Sequence, residues 1–133
     1  MPNTAPTTGS SERGGGSGSP ALGASGAYGP SGIGFGQVDP AAISLGGDPT
    51  GTVTGISWQS WGGPDATGTG RGTYIGPDQT VAQGTPETAT VVAYDLGTCK
   101  GAPAYLLVTW YFAAHGQTLQ SGAIPAINAC AGP

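Results

Sequence analysis

The chain has 133 residues, of which 27 are glycine and 12 are proline, and its formal net charge is −4. Three basic residues cannot form a phosphate-binding surface, which excludes nucleic acid as a partner, and no apolar run of about 18 residues exists that could span a membrane. One histidine and two cysteines leave too few ligands for a His/Cys zinc cluster, and we predict neither a metal ion nor a cofactor.

Residues 1–40 have the composition of a linker. They hold 11 Gly, 5 Pro, 6 Ser and 3 Thr, together 25 of 40 residues. Such a segment buries too little apolar surface to offset its chain entropy. We therefore predict a flexible, disordered linker over residues 1–40 and one domain over residues 41–133.

The start of the chain has no signal peptide, because Met1 is followed directly by polar residues and proline. A cytosolic protein is one interpretation. The linker and the cysteine pair favour the other, an exported mature chain with an added start methionine. A lipid anchor on a cysteine that is missing from the given chain is a hypothesis without a residue to support it.

The second part of the chain is rich in strand signals and poor in helix signals. We predict strands over residues 42–45, 52–61 with a bulge at Gly55, 66–74, 88–96 and 104–112, and a last short strand near 124–130. The predicted fold class is all-β: a small antiparallel β-sandwich or partly open barrel of five or six short strands.

The predicted strand 66–74 places Ala66, Gly68, Gly70, Gly72 and Tyr74 on one face. A row of such small residues leaves a groove along a sheet, in which rings of neighbouring strands bury well. Trp58 and Trp61 are the predicted occupants. A second interpretation is that these rings stay exposed and stack on a sugar or a peptide.

Cys99 lies in a predicted turn between two strands, residues 96–101, and Cys130 lies close to the chain end. A disulfide between them would hold the C-terminal tail against a hairpin and stabilise the fold by about 3–4 kcal/mol. We favour this structural disulfide over two free thiols. A reactive cysteine has no supporting motif, since no Cys-x-x-Cys occurs.

A set of short motifs carries a family resemblance. Its core is Ile56-x-Trp58-x-x-Trp61-Gly62-Gly63 followed by Ala66-x-Gly68-x-Gly70. Further matching runs are Ala93-Tyr94-Asp95-Leu96-Gly97-Thr98-Cys99 and Ala104-Tyr105-x-x-Val108-Thr109-Trp110-Tyr111-Phe112. Over residues 42–130 the chain resembles small secreted, often lipid-anchored β domains of actinobacteria. The resemblance implies an extracellular or cell-surface location and an all-β fold, and it implies no catalytic residue.

The function that these features favour is a non-catalytic interaction or binding domain displayed on a tether. The candidate binding surface consists of the aromatic residues Trp61, Tyr105 and Tyr111, and the expected partner is an envelope protein or a glycan. A purely structural cell-surface domain is an alternative.

A small secreted hydrolase is the other alternative, with His115 as its base and an acidic residue such as Asp95 as the partner. The scattered carboxylates do not indicate a paired-acid site. The alternative requires His115 to lie within hydrogen-bond distance of a carboxylate and a hydroxyl, in a concave pocket.

Overall fold

The structure, a computed structural model, describes residues 19–46, 49–120 and 126–132. The predicted linker over residues 1–18 lies outside these described residues. Seven strands join in one sheet: β1 (Ala21–Leu22), β2 (Ile43–Ser44), β3 (Thr52–Trp58), β4 (Ala66–Tyr74), β5 (Thr85–Cys99), β6 (Ala102–Tyr111) and β7 (Ile127–Asn128). Three 3₁₀ helices of three residues each are the only helices of the described part: Pro49–Gly51, Val81–Gln83 and Ala113–His115.

The strands lie in the order β1-β6-β5-β4-β3-β2, and β7 pairs with β6 beside β1. All pairs are antiparallel except β1 with β6. The sheet curls into a half-barrel around the apolar side chains, which confirms the prediction of an all-β, partly open barrel. Among the residues that the structure describes, no helix is long and apolar enough to cross a membrane.

Strand β4 follows the predicted bounds and alternation, with Ala66, Gly68, Gly70 and Gly72 buried. Close approach of β3 requires glycine at positions 68 and 70. A Cβ atom on Gly68 would lie 2.8 Å from the Ser57 carbonyl oxygen, and one on Gly70 would lie 2.7 Å from that of Thr54. The register of β3 against β4 shifts between Thr54 and Ser57, which confirms the predicted bulge at Gly55.

Burial along β6 departs from strict alternation, because Thr109 is buried between Val108 and Trp110. Tyr105, which was predicted to belong to an exposed binding surface, is fully buried as well. Tyr105 obtains this burial from distant parts of the chain, because Leu22 of β1 pairs with it and its hydroxyl bonds the turn at Gly62 and Gly63.

The segment between residues 19 and 40 packs into the domain, so the predicted linker differs from the structure over its described part. Leu22 of β1 is fully buried, and Phe35 is 7% exposed. Leu22 donates its N–H to the Gln37 carbonyl at 2.8 Å and pairs with Tyr105 of β6. These isolated apolar residues obtain their burial from partners distant in the chain, which the segment's composition does not reveal.

Cys99 and Cys130 form a disulfide with an S–S distance of 2.05 Å. The bridge joins the end of β5 to the C-terminal segment, as predicted. That segment in turn contacts the N-terminal one, because the Ala24 N–H donates to the Ala129 carbonyl at 3.1 Å and the Tyr28 hydroxyl donates to the Asn128 carbonyl. Both ends of the described chain are therefore held together.

Candidate functional site

The aromatic residues predicted as one binding surface do not form one. Tyr105 is fully buried, and its hydroxyl donates to the Gly63 carbonyl at 2.6 Å while accepting the Gly62 N–H at 2.8 Å. Trp61 is half-buried with its ring edge-on to Tyr105, at a centroid distance of 5.1 Å. Tyr111 is half-buried at the other end of β6. The prediction that Tyr105 is exposed was wrong because Leu22 of β1 pairs with it and the turn at Gly62 and Gly63 bonds its hydroxyl, and neither contact is visible in the local sequence.

The two tryptophans of β3 and its turn hold the N-terminal segment in place. The indole N–H of Trp58 donates to the Pro40 carbonyl at 2.8 Å, and that of Trp61 donates to the Pro20 carbonyl at 2.8 Å. Trp58 packs against Gly68 in the predicted glycine groove, whereas Trp61 packs on Tyr105 instead. With both N–H groups engaged and the two rings at 76° to each other, the pair forms no flat stacking platform.

A polar cluster lies where β4 ends and β5 begins; we call Tyr74, Thr85, Glu87 and His115 the His115 cluster. The ladder pairs Tyr74 with Thr85 and Gly72 with Glu87, which places the carboxylate at the strand ends. The 3₁₀ helix Ala113–His115 follows β6 and brings the imidazole there. His115 Nε2 lies 2.6 Å from Glu87 Oε1, and the imidazole stacks on the Tyr74 ring at 3.6 Å with an interplanar angle of 4°.

The carboxylate of this cluster is stabilised in its charged form. The hydrogen bond from His115 lowers the pKa of Glu87 below its usual value, and smaller contributions come from the Thr85 hydroxyl and from the charges of His115 and Arg71. Desolvation acts in the opposite direction. Because a carboxylate accepts hydrogen bonds, His115 Nε2 is the donor of this bond and Glu87 Oε1 the acceptor.

The structure meets the hydrolase requirement only in part. His115 does have a carboxylate partner, but it is Glu87 and not the predicted Asp95, which is exposed in the middle of β5. The Thr85 hydroxyl donates to Glu87 Oε2 at 3.0 Å and so serves the carboxylate rather than the imidazole. A nucleophile activated by a base needs a hydrogen bond to that base, which this hydroxyl does not make. Through these bonds the His115 cluster joins the 3₁₀ helix Ala113–His115 to β5.

An open cleft of about 380 Å³ lies at the same end of the half-barrel. Its lining comes from separate parts of the chain and is mostly apolar: Thr50, Thr73, Ile75, Val81, Trp110, Phe112 and Gln117. Trp110 and Phe112 are 1% and 2% exposed and close the floor, while Val81 is 51% exposed at the rim. The Phe112 ring also contacts Tyr74 at 5.4 Å, which connects the cleft to the His115 cluster.

One wall of the cleft belongs to the connection between β4 and β5, residues 75–84. Its own side chains stabilise it: the Gln79 carboxamide oxygen accepts the Gly76 N–H, and that of Gln83 accepts the Thr80 N–H, both at 2.8 Å. A loop of this length that is internally hydrogen-bonded presents a defined surface, as binding loops do. It places Ile75 and Val81 at the cleft.

Sequence reasoning missed the cleft because no local pattern marks it. The five segments that contribute to its lining meet only after the sheet has curled. Glu87 was missed because the predicted strand began one residue later, at Thr88. The strand begins at Thr85 and includes Pro86, a residue type that argues against a strand, so no local signal indicated the position of Glu87. No group of three His, Cys, Asp or Glu side chains that could hold a metal ion occurs among the described residues.

The comparisons with known proteins give no relative: no family model, no curated protein and no solved structure matches the chain.

Proposed function

We propose that this protein is a non-catalytic binding domain that acts outside the cytoplasm and takes a small ligand in its cleft. The cleft carries the proposal: about 380 Å³ enclosed by an aromatic floor and aliphatic walls, with a few polar side chains around them. Small-molecule sites are concave, mostly apolar and of this order of size. Neither the buried Tyr105 nor the Trp58–Trp61 pair offers a comparable surface.

Two features support the extracytoplasmic location within this proposal. The Cys99–Cys130 disulfide is compatible with an oxidising compartment, where such bridges persist. The first 18 residues have a composition rich in Gly, Ser and Thr, which is typical of tethers that display a domain at a distance from a surface. The resemblance to exported actinobacterial domains is consistent with both.

The test is a fragment screen on the isotopically labelled full chain, with binding located by amide chemical shifts. We expect fragments to shift the amides of Thr73, Ile75, Val81 and Gln117. Shifts confined to other surfaces, or no saturable binding from the screen, would contradict the proposal and leave a purely structural domain.

A matched pair of variants sharpens this test. Val81→Glu places a charge at the rim of the cleft, and desolvating that charge should weaken fragment binding at least about tenfold. Val38→Glu is the control, because Val38 is 46% exposed, close to the 51% of Val81, and does not line the cleft. Equal weakening by both variants would show that the cleft is not where fragments bind.

A further inference from the structure

We infer that the cleft selects an uncharged, ring-sized ligand and that the Gln117 carboxamide N–H donates a hydrogen bond to an acceptor on that ligand. The inference rests on the proposed binding function and names the ligand class for the same site. It follows from three properties of the cleft: the charge of its lining, the orientation of Gln117, and its dimensions.

Among the residues that the structure describes, the lining has no group that could neutralise a charged ligand. None of the seven described residues around the cleft is ionisable under ordinary conditions. The neighbouring Glu87 and His115 are hydrogen-bonded to each other at 2.6 Å, and neither lines the cleft. A charged ligand would therefore lose hydration without gaining a partner of opposite sign, and this cost favours a neutral one.

The side chain of Gln117 is fixed in one orientation. Its Oε1 accepts a hydrogen bond from the Phe112 backbone N–H at 2.9 Å. Because a backbone N–H can only donate, the oxygen of the carboxamide faces Phe112 and the NH₂ group faces away from it. The Gln117 backbone N–H also donates to the Phe112 carbonyl, at 3.4 Å. Within the part of the chain that the structure describes, Nε2 donates to no acceptor. The cleft thus contains an oriented donor that a ligand can satisfy.

The dimensions suit a single ring. About 380 Å³ lies towards the lower end of the range of roughly 300–1,000 Å³ for small-molecule sites. Trp110 and Phe112 are almost fully buried, so they limit the depth of the cleft and expose little of their rings. The side walls are Ile75 and Val81, between which a flat apolar group can insert, with its acceptor directed to Gln117.

The experiment uses one ring with four substituents: benzamide, benzoate, benzylamine and toluene, each titrated into the labelled full chain at neutral pH. Benzamide carries an acceptor and no charge. We expect it to shift the Ile75 and Val81 amides and the side-chain NH₂ resonance of Gln117, and to bind at least about tenfold more tightly than benzoate or benzylamine, because each charged probe pays an uncompensated desolvation cost. Toluene, which has no acceptor, should bind more weakly and leave the Gln117 NH₂ resonance unshifted.

The variant Gln117→Glu removes the NH₂ donor of the side chain without removing the acceptor that stabilises the local backbone. Glutamate keeps an oxygen for the Phe112 N–H but replaces the NH₂ donor by a charged acceptor. We expect benzamide affinity to fall about tenfold and benzylamine to become the preferred probe, since it now finds an opposite charge. Gln59→Glu is the control, because Gln59 lies outside the cleft. Its carboxamide N–H donates a hydrogen bond to the Ser57 carbonyl oxygen, at the end of β3.

The outcomes separate this inference from the function on which it rests. Benzoate or benzylamine binding in the cleft as tightly as benzamide, or unchanged benzamide affinity in Gln117→Glu, would overturn the ligand class while the cleft remained a binding site. No cleft shifts from these probes or from the fragment screen would overturn the binding function itself. If Gln117→Glu does not fold, the wild-type chain alone tests the inference. In that case, a Gln117 NH₂ resonance that does not shift when the chain is saturated with benzamide overturns the inference.

Discussion

Single polar groups connect segments that are far apart in this chain. The Tyr105 hydroxyl holds the turn at Gly62 and Gly63, and the indole N–H of Trp61 holds the backbone at Pro20. Each such bond contributes only about 1 kcal/mol net, but a partner left buried and unsatisfied costs more. These contacts therefore determine which loops stay in place, although the apolar core provides most of the stability.

Glu87 provides the first test at this scale. Because the His115 hydrogen bond is the largest cause of its lowered pKa, His115→Ala should raise the pKa of Glu87 more than Thr85→Val does. Carboxyl-carbon NMR titration of the three proteins measures this order. A lowered pKa means that ionised Glu87 stabilises the fold above its usual pKa of about 4.5, and this contribution is lost as the pH falls through the lowered value. The reverse order of the two variants, or no shift in either, would contradict the described cluster.

Gly70 provides the second test at the scale of single residues. Gly70→Ala would place a Cβ atom 2.7 Å from the Thr54 carbonyl oxygen and 3.0 Å from Ile56, and we expect a loss of about 1–3 kcal/mol in the free energy of unfolding. Gly63→Ala is the control, since its nearest neighbour would be the Asp65 carbonyl oxygen at 3.7 Å, and it should change stability by less than about 0.5 kcal/mol. Urea denaturation measures both. Similar values for the two variants would show that β3 does not approach β4 this closely.

At the scale of elements, the strands of the sheet were the most predictable part. β4 follows from its strict alternation, and the bulge in β3 from the opposite parity of Val53 and Ile56. The N-terminal segment was not predictable, because Leu22 and Phe35 stand among glycines and serines and are buried only through distant partners. Periodicity in the sequence can predict a strand of many residues such as β4, but a two-residue strand such as β1 is too short to show a period.

Trp61→Phe tests how this segment is held. Phenylalanine keeps an aromatic ring beside Tyr105 but cannot donate to the Pro20 carbonyl, which should cost about 1 kcal/mol. Hydrogen exchange at the Leu22 amide should accelerate, because β1 begins at the residue after Pro20. Trp58→Phe is the matched control, since its N–H holds Pro40, and it should accelerate exchange near that end of the segment instead. Unchanged exchange at Leu22 in Trp61→Phe would contradict the role of the indole.

At the scale of the whole molecule, the two ends of the described chain stabilise each other. The disulfide holds the C-terminal segment to β5, and that segment accepts the Ala24 N–H at Ala129. Close backbone contact accompanies this bond, since a Cβ atom on Gly23 would lie 1.8 Å from the Ala129 carbonyl oxygen. The cleft is at the other end of the half-barrel, where the connection between β4 and β5 meets the end of β6.

Replacing both Cys99 and Cys130 by alanine tests this coupling. The loop of 31 residues that the bridge closes predicts a loss of about 3–4 kcal/mol in the free energy of unfolding. Hydrogen exchange at the Ala24 amide should also accelerate, because its acceptor then belongs to an untethered segment. A loss below about 1 kcal/mol with unchanged exchange at Ala24 would show that the bridge does not support the N-terminal segment.

The proposal that the cleft binds a neutral ring is tested most directly by intermolecular NOEs between benzamide and the methyl groups of the wild-type chain. We expect NOEs from the benzamide ring to the methyl groups of Ile75 and Val81. NOEs only to apolar residues outside the cleft, such as Ile33, Val38 or Leu96, which are 50%, 46% and 44% exposed, would contradict the assignment of the cleft as the binding site.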